Sequence, residues 1–176
     1  MPDPVALRIE IQRGDITALA VDAIVNAANE SLAPGGGVCG AIHRRAGPEH
    51  ARACAAIGRC PTGDVVLTPG FNLPAKHVIH AVGPVWQGGG SGESKLLAGC
   101  YRRSLELCRR HGLQGIAFPA ISTGIFGYPL EAAAGIAVAT VKDWLKENAV
   151  PDRAIFCCFD QRTEDAYRSA MARWGR

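Results

Sequence analysis

The chain is 176 residues long, 48% apolar, and carries a formal net charge of +3. That length supports one α/β core without disulfide staples, and the composition excludes a disordered chain. The charge is too small to signal anything about partners, no apolar run is long enough to span a bilayer, and residues 1–3 lack the basic and apolar regions of a signal peptide, so the expected location is the cytoplasm.

Strand-like and helix-like segments alternate along the chain, the pattern of a layered α/β architecture. Residues 7–12 alternate apolar and polar side chains, as a half-buried strand does. Residues 22–26 form a short apolar run ending in polar residues, which predicts a buried strand that delivers its C-terminal end to a site. Residues 65–68, 77–82, 115–119 and 154–159 read as four more strands. Residues 93–111 place Leu97, Cys100, Tyr101, Leu105 and Cys108 on one helical stripe, with Gly112 as the C-terminal cap. Arg102, Arg103, Arg109 and Arg110 fall on the opposite face and read as solvated. Pro129 suits the first turn of a helix carrying Ala137, Val141, Trp144 and Leu145 at helical spacing, and a last helix is expected over 163–174. The glycine-rich stretch 88–92 reads as a surface loop, since no Lys-Ser/Thr pair follows to complete a phosphate loop.

The cysteines are odd in number and include no CxxC pair: Cys39, Cys54, Cys60, Cys100, Cys108, Cys157 and Cys158. Most read as small buried hydrophobes in a reducing compartment, with Cys157 and Cys158 on opposite faces of one strand.

Three segments at predicted strand ends carry the chemistry. The first is Asn26-Ala27-Ala28-Asn29, followed after a turn by Pro34-Gly35-Gly36-Gly37-Val38-Cys39-Gly40-Ala41-Ile42-His43. Its glycines let a phosphate or ribose approach the backbone, and a helix starting near Val38 aims its positive end at the same place. Asn29 adds an amide that both donates and accepts. The second is Ser122-Thr123-Gly124-Ile125-Phe126-Gly127, an anion-binding grammar of hydroxyls and glycines ahead of a helix, without the lysine of an ATPase loop. The third is Gly14-Asp15-Ile16-Thr17, where Asp15 either caps a helical turn or accepts from an exocyclic amine such as that of adenine.

Together these segments resemble the macrodomain family, and within it the MacroD-type group of bacterial O-acetyl-ADP-ribose deacetylases and ADP-ribosyl hydrolases. The motifs are GDIT at Gly14, DAIVNAAN at Asp22, GGGV-x-GAIH at Gly35, HAVGPVW at His80 and FPAISTGIFGYP at Phe118. The resemblance implies a single domain over 1–176, a three-layer α/β/α macrodomain around a central mixed sheet of about six strands. It implies an ADP-ribose cleft in which Asp15 and the Ile16 backbone hold the adenine amino group and Phe159 stacks on the ring. Ser122, Thr123, Gly124, Ile125 and Phe126 would wrap the diphosphate, with Gly36, Gly37 and Val38 at the distal ribose and phosphate. Asn29 would bond the distal ribose hydroxyls. The implied partners are ADP-ribose, ADP-ribosylated protein or O-acetyl-ADP-ribose, with nucleic acid only if ADP-ribosylated. No cofactor is implied.

The sequence departs from the hydrolytic pattern at three positions. Cys39 stands where that pattern has a water-positioning aspartate, Pro34 replaces the first glycine of the run, and Phe126 stands where relatives often carry tyrosine. Two readings stay open: a hydrolase with Asn29 and Cys39 as its catalytic candidates, or a module that binds ADP-ribose without turnover. A metal held by Cys39 and His43 has only two ligands in view and is not expected, and His43 reads as a structural helix residue.

Overall fold

The computed structural model describes residues 1–174. Among them are six strands and five α-helices: β1 (Ile9–Arg13), β2 (Ala23–Ala27), α1 (Gly37–Ala46), α2 (Pro48–Ile57), β3 (Val65–Pro69), β4 (His77–Ala81), α3 (Glu93–His111), β5 (Gly115–Phe118), α4 (Leu130–Glu147), β6 (Arg153–Cys158) and α5 (Gln161–Trp174). They form one sheet in the order β1-β6-β5-β2-β4-β3, parallel throughout except for the β3–β4 pair at one edge. The mixed six-stranded α/β sheet expected from the sequence is present.

Side chains alternate across this sheet with the period of two that strands impose. Ala23, Val25, Ile79, Ala81, Ile116, Phe118, Ala154, Phe156 and Cys158 pack beneath α3, α4 and α5. Ile24, Val78, Ala117, Ile155 and Cys157 face the other way, against Ile42 and Ala46 of α1. Cys157 and Cys158 thus do point to opposite faces. All seven cysteines are free and buried. Burial raises the thiols of Cys54, Cys60 and Cys157 to about 11 and those of Cys100, Cys108 and Cys158 to about 12.

Several element ends differ from the sequence reading, each for a local reason. Ala6–Arg8 is a short 3-10 turn and the first strand starts at Ile9. The Arg8 guanidinium donates to the carbonyls of Leu145, Asn148 and Pro151 at 2.8, 2.8 and 2.6 Å, which draws this turn over the C-terminal end of α4. Pro129 stands just ahead of α4, as its N-cap, and not inside the first turn. Asp160 caps α5 by accepting from Thr163 N at 2.8 Å, so that helix starts at Gln161. The sequence reading did not include α2, whose signals were Pro48 at its start and Gly58 just past its end.

The glycine-rich loop before α3 closes around an anion that its own chain supplies. The buried Glu93 carboxylate accepts from the backbone N–H groups of Gln87, Gly89 and Ser91 at 3.0, 2.9 and 2.6 Å. These bonds, that from Gln87 foremost, hold its pKa below the usual glutamate range. A carboxylate depressed in this way stabilises the fold above its unfolded pKa, and the contribution disappears as pH falls through the folded value. The Gln87, Gly89 and Ser91 amides should therefore show high hydrogen-exchange protection factors at neutral pH that fall in acid below the ordinary carboxylate range. In Glu93→Gln protection should be low at every pH.

Candidate functional site

The central strands β2 and β5 are parallel neighbours. The chain leaving β2 runs to α1 on one face of the sheet, and the chain leaving β5 runs to α4 on the other. Two connections that diverge from adjacent strand ends open a crevice between them, the place where open α/β sheets bind ligands.

The first wall is the segment from Asn29 to Cys39. The Asn29 amide folds this loop on itself: Oδ1 accepts from Ser31 Oγ and Ala33 N at 2.8 and 3.1 Å, and Nδ2 donates to Ala33 O at 2.9 Å. One Nδ2 hydrogen is left for a ligand, so Asn29 offers less than the two-way amide expected of it. Gly35, Gly36 and Gly37 are exposed, and α1 starts at Gly37. The N–H groups of Gly37, Val38 and Cys39 therefore have no intrahelical acceptor and form the positive end of the helix. A Cβ on Gly35 would stand 3.6 Å from Asn29 Nδ2 and 3.8 Å from Cys39 Sγ, which places these three residues together. Gly40 is obligatory, since a Cβ there would collide with the Gly35 carbonyl oxygen.

Cys39 is buried. Its Sγ donates to Ala33 O at 3.6 Å and faces Asn26 Nδ2 at 3.8 Å. Both polar directions of the thiol are occupied within the protein.

The second wall is 122–127. Ser122 has a φ of 69° and is buried, with an Oγ that has no protein partner. Thr123 Oγ1 donates to Ala120 O at 2.9 Å, and Phe126 O accepts from Trp86 N at 2.8 Å. Trp86 in turn packs against Tyr128 with the rings tilted, centroids 4.6 Å apart. Ile125 is 87% exposed and overhangs the crevice: a Cβ on Gly36 would stand 3.5 Å from Ile125 Cδ1. The two loops therefore face each other, as the sequence reading required.

The far end of the crevice lies at the ends of β1 and β6, which are parallel neighbours. Asp15 caps the turn Ile16–Ala18, its Oδ1 accepting from Thr17 N and Thr17 Oγ1 at 2.9 and 2.7 Å. These bonds lower its pKa, with Arg45 adding a weaker pull at 4.0 Å. The capping role is thus filled by Oδ1, and the side chain stays 63% exposed. Ile16 is buried, whereas Phe159, just past β6, is 89% exposed.

Beneath the first wall lies a polar cluster that the sequence reading left as separate residues. Asn26 on β2 and His80 on β4 are register partners, with Asn26 Nδ2 at 3.1 Å from His80 Nδ1. His80 Nε2 meets Thr68 Oγ1 at 2.9 Å and lies 3.8 Å from Cys54 Sγ. His50 Nε2 is 4.0 Å from the same sulfur, and its ring meets those of His43 and His80 at 4.5 and 5.1 Å between centroids. Burial pushes His50 down to about 4 and His80 down to about 3 and lowers His43, so all three are neutral at pH 7. Both ring nitrogens of His43, His50 Nδ1 and Asn26 Oδ1 have no protein partner. Each such buried group costs about 1–3 kcal/mol. The available signal was His50 and Cys54 at helical spacing, invisible without α2.

Two facing glycine loops at the switch point of a mixed six-stranded sheet define the macrodomain class, and residues 25–137 match the Macro domain family model. The chain belongs to that family. It is 56% identical over 165 residues to a Macro domain-containing protein of Mesorhizobium japonicum, covering 94% of each chain. It is 53% identical to a protein of Citrobacter koseri named O-acetyl-ADP-ribose deacetylase, covering 96% of this chain and 97% of that one. The Trypanosoma brucei macrodomain solved in complex with ADP-ribose superposes with a TM-score of 0.91 at 42% identity, over 96% of this chain and 71% of that one.

Gly83 locks the second wall to the sheet. A Cβ there would collide with Ser122 Oγ and stand 2.6 Å from Ile121 Cγ2, in a buried setting that cannot yield. Gly83→Ala should cost about 1–3 kcal/mol and lower Tm by about 2–4 °C for each kcal/mol. Gly14→Ala, with nothing within 4 Å of the new Cβ, should leave Tm unchanged. Thermal denaturation of both variants measures the contrast.

Proposed function

We propose that the chain binds ADP-ribose in this crevice and cleaves ADP-ribose esters, either O-acetyl-ADP-ribose or ADP-ribose joined to acidic side chains of proteins. The observation that carries the binding is the pair of facing loops, Gly36 opposite Ile125, with the free N–H groups of α1 beneath them. Such a site grips a diphosphate through backbone donors and a helix end, without formal positive charge. The proposed placement puts the diphosphate along 122–126 and the distal ribose over Gly36, Gly37, Val38 and the remaining Asn29 N–H. Adenine lies on Phe159, with its amino group toward Asp15 and the Ile16 backbone. The complex of the Trypanosoma brucei relative with ADP-ribose supports the ligand, and the name of the Citrobacter koseri relative supports the reaction. A reducing cytoplasm is the proposed setting, consistent with seven free cysteines.

In ester hydrolysis a water oxygen bonds to the acyl carbon, the bond from acyl carbon to ribose oxygen breaks, and that oxygen takes a proton. Cys39 is poorly placed as the base, because its Sγ is engaged by Ala33 O and Asn26 Nδ2. The base role falls to the substrate, whose diphosphate holds the water. Turnover is then slow, by the factor of about 10²–10⁴ that a positioned carboxylate supplies. Binding without turnover is the second reading, and the same enclosure of Cys39 favours it.

Calorimetry should give a Kd of micromolar order, about −8 kcal/mol. Phe159→Ala should weaken it by about 5- to 150-fold, the value of one base-stacking contact. Absence of heat at saturating ADP-ribose would sink the ligand assignment. In a turnover assay with ADP-ribose esters, Cys39→Asp should exceed wild type, and Cys39→Ala should fall by no more than about tenfold. A fall of about 10²–10⁴ in Cys39→Ala would make the thiol the base. Equal inertness of wild type and Asn29→Ala would establish binding without turnover.

A further inference from the structure

His43 near the end of α1, and His50 and Cys54 one turn apart on α2, converge beneath the first wall of the crevice. One donor atom from each lies within 4.8 Å of the others, and all three residues are buried. We propose that they form a binding site for a divalent transition metal of the zinc class, which clips α1 to α2. This inference is independent of the ADP-ribose reading.

Four observations carry it. The donor set is two imidazoles and one thiol, with no carboxylate among them, which suits borderline-soft Zn²⁺ and disfavours Mg²⁺ or Ca²⁺. His43 has no hydrogen-bond partner at either ring nitrogen although it is only 7% exposed, and His50, 0% exposed, has no hydrogen-bond partner nearer its Nε2 than the Cys54 sulfur at 4.0 Å. Lone pairs enclosed in this way have an acceptor in a metal ion and none in the surrounding protein. The i, i+4 spacing of His50 and Cys54 sets both side chains on one face of α2. The short Gly47 junction, whose N–H bonds His43 O at 3.2 Å, brings the end of α1 against that face.

The distances are within reach of coordination. Tetrahedral zinc with bonds of about 2.0–2.3 Å holds its donors roughly 3.3–3.6 Å apart. The His50 Nε2 to Cys54 Sγ separation of 4.0 Å then needs to close by only about half an ångström. His80 Nε2, 3.8 Å from Cys54 Sγ, is the nearest further donor, and its use as fourth ligand would exchange the Thr68 hydrogen bond for a metal bond. On binding, the Cys54 thiol releases its proton to solvent and the sulfur bonds the metal as thiolate, with no change of oxidation state.

The test is a Co²⁺ titration of the chelator-treated full chain, without nucleotide, so that its outcome is separate from that of the ADP-ribose assays. Wild type should develop the intense visible bands of tetrahedral Co²⁺ and a near-ultraviolet thiolate charge-transfer band, saturating at one ion per chain, and Zn²⁺ should bleach both. Cys54→Ser should lose the charge-transfer band. His50→Leu, checked as folded by circular dichroism before metal is added, should bind Co²⁺ more than about 100-fold more weakly, beyond the 10–100-fold that an outer-shell partner costs. A wild-type spectrum with only the weak bands of octahedral Co²⁺ overturns the proposal, whatever the variants do. So does a charge-transfer band that survives in Cys54→Ser, which would place the ion on another thiol.

Discussion

The crevice depends on one topological fact, the divergence of the chain from the adjacent ends of β2 and β5 to opposite faces of the sheet. The alternation of apolar side chains along each strand makes that divergence possible, since both faces need a helical layer. With the layers in place, the strand ends between them are left uncovered, and only loops can line the gap. The loops are then free to present backbone donors to the gap.

Their shape rests on close backbone approach. Gly40 lets α1 lie against the Gly35 carbonyl, and Gly83 lets the segment after β4 lie against Ser122. Trp86 adds a hydrogen bond to the Phe126 carbonyl. The donors of the crevice are therefore held by packing in advance of any ligand, which lowers the ordering cost of binding. The proposed diphosphate site thus relies on few cationic side chains. Its positive character belongs to the backbone.

Much of this was legible in the sequence. Strand periodicity and glycine placement identify the sheet, the helices with apolar stripes and both walls of the crevice. The element missed, α2, buries only His50 and Cys54, a weak apolar signal beside the long stripes of α3. Missing it concealed the meeting of His43, His50, Cys54 and His80, because their proximity arises from cross-strand register and from the Gly47 turn. Local chemistry told only part of the story at Asn29. Its residue type suits a sugar ligand, yet the tight turn to Ala33 takes most of its hydrogen-bonding capacity. At the glycine-rich 88–92 loop nothing in the local sequence signalled the acid's role: Glu93 accepts from the loop's own backbone N–H groups.

The buried free cysteines have a use outside the site. Thiolate is the reactive form, and in Cys54, Cys60, Cys100, Cys108, Cys157 and Cys158 enclosure keeps the sulfur protonated at neutral pH. An alkylating reagent meets those sulfurs in number only when the chain opens. The molecule thus carries its own stopwatch for global opening, with marks on the helical layers of both sheet faces, readable by mass spectrometry without any engineered label.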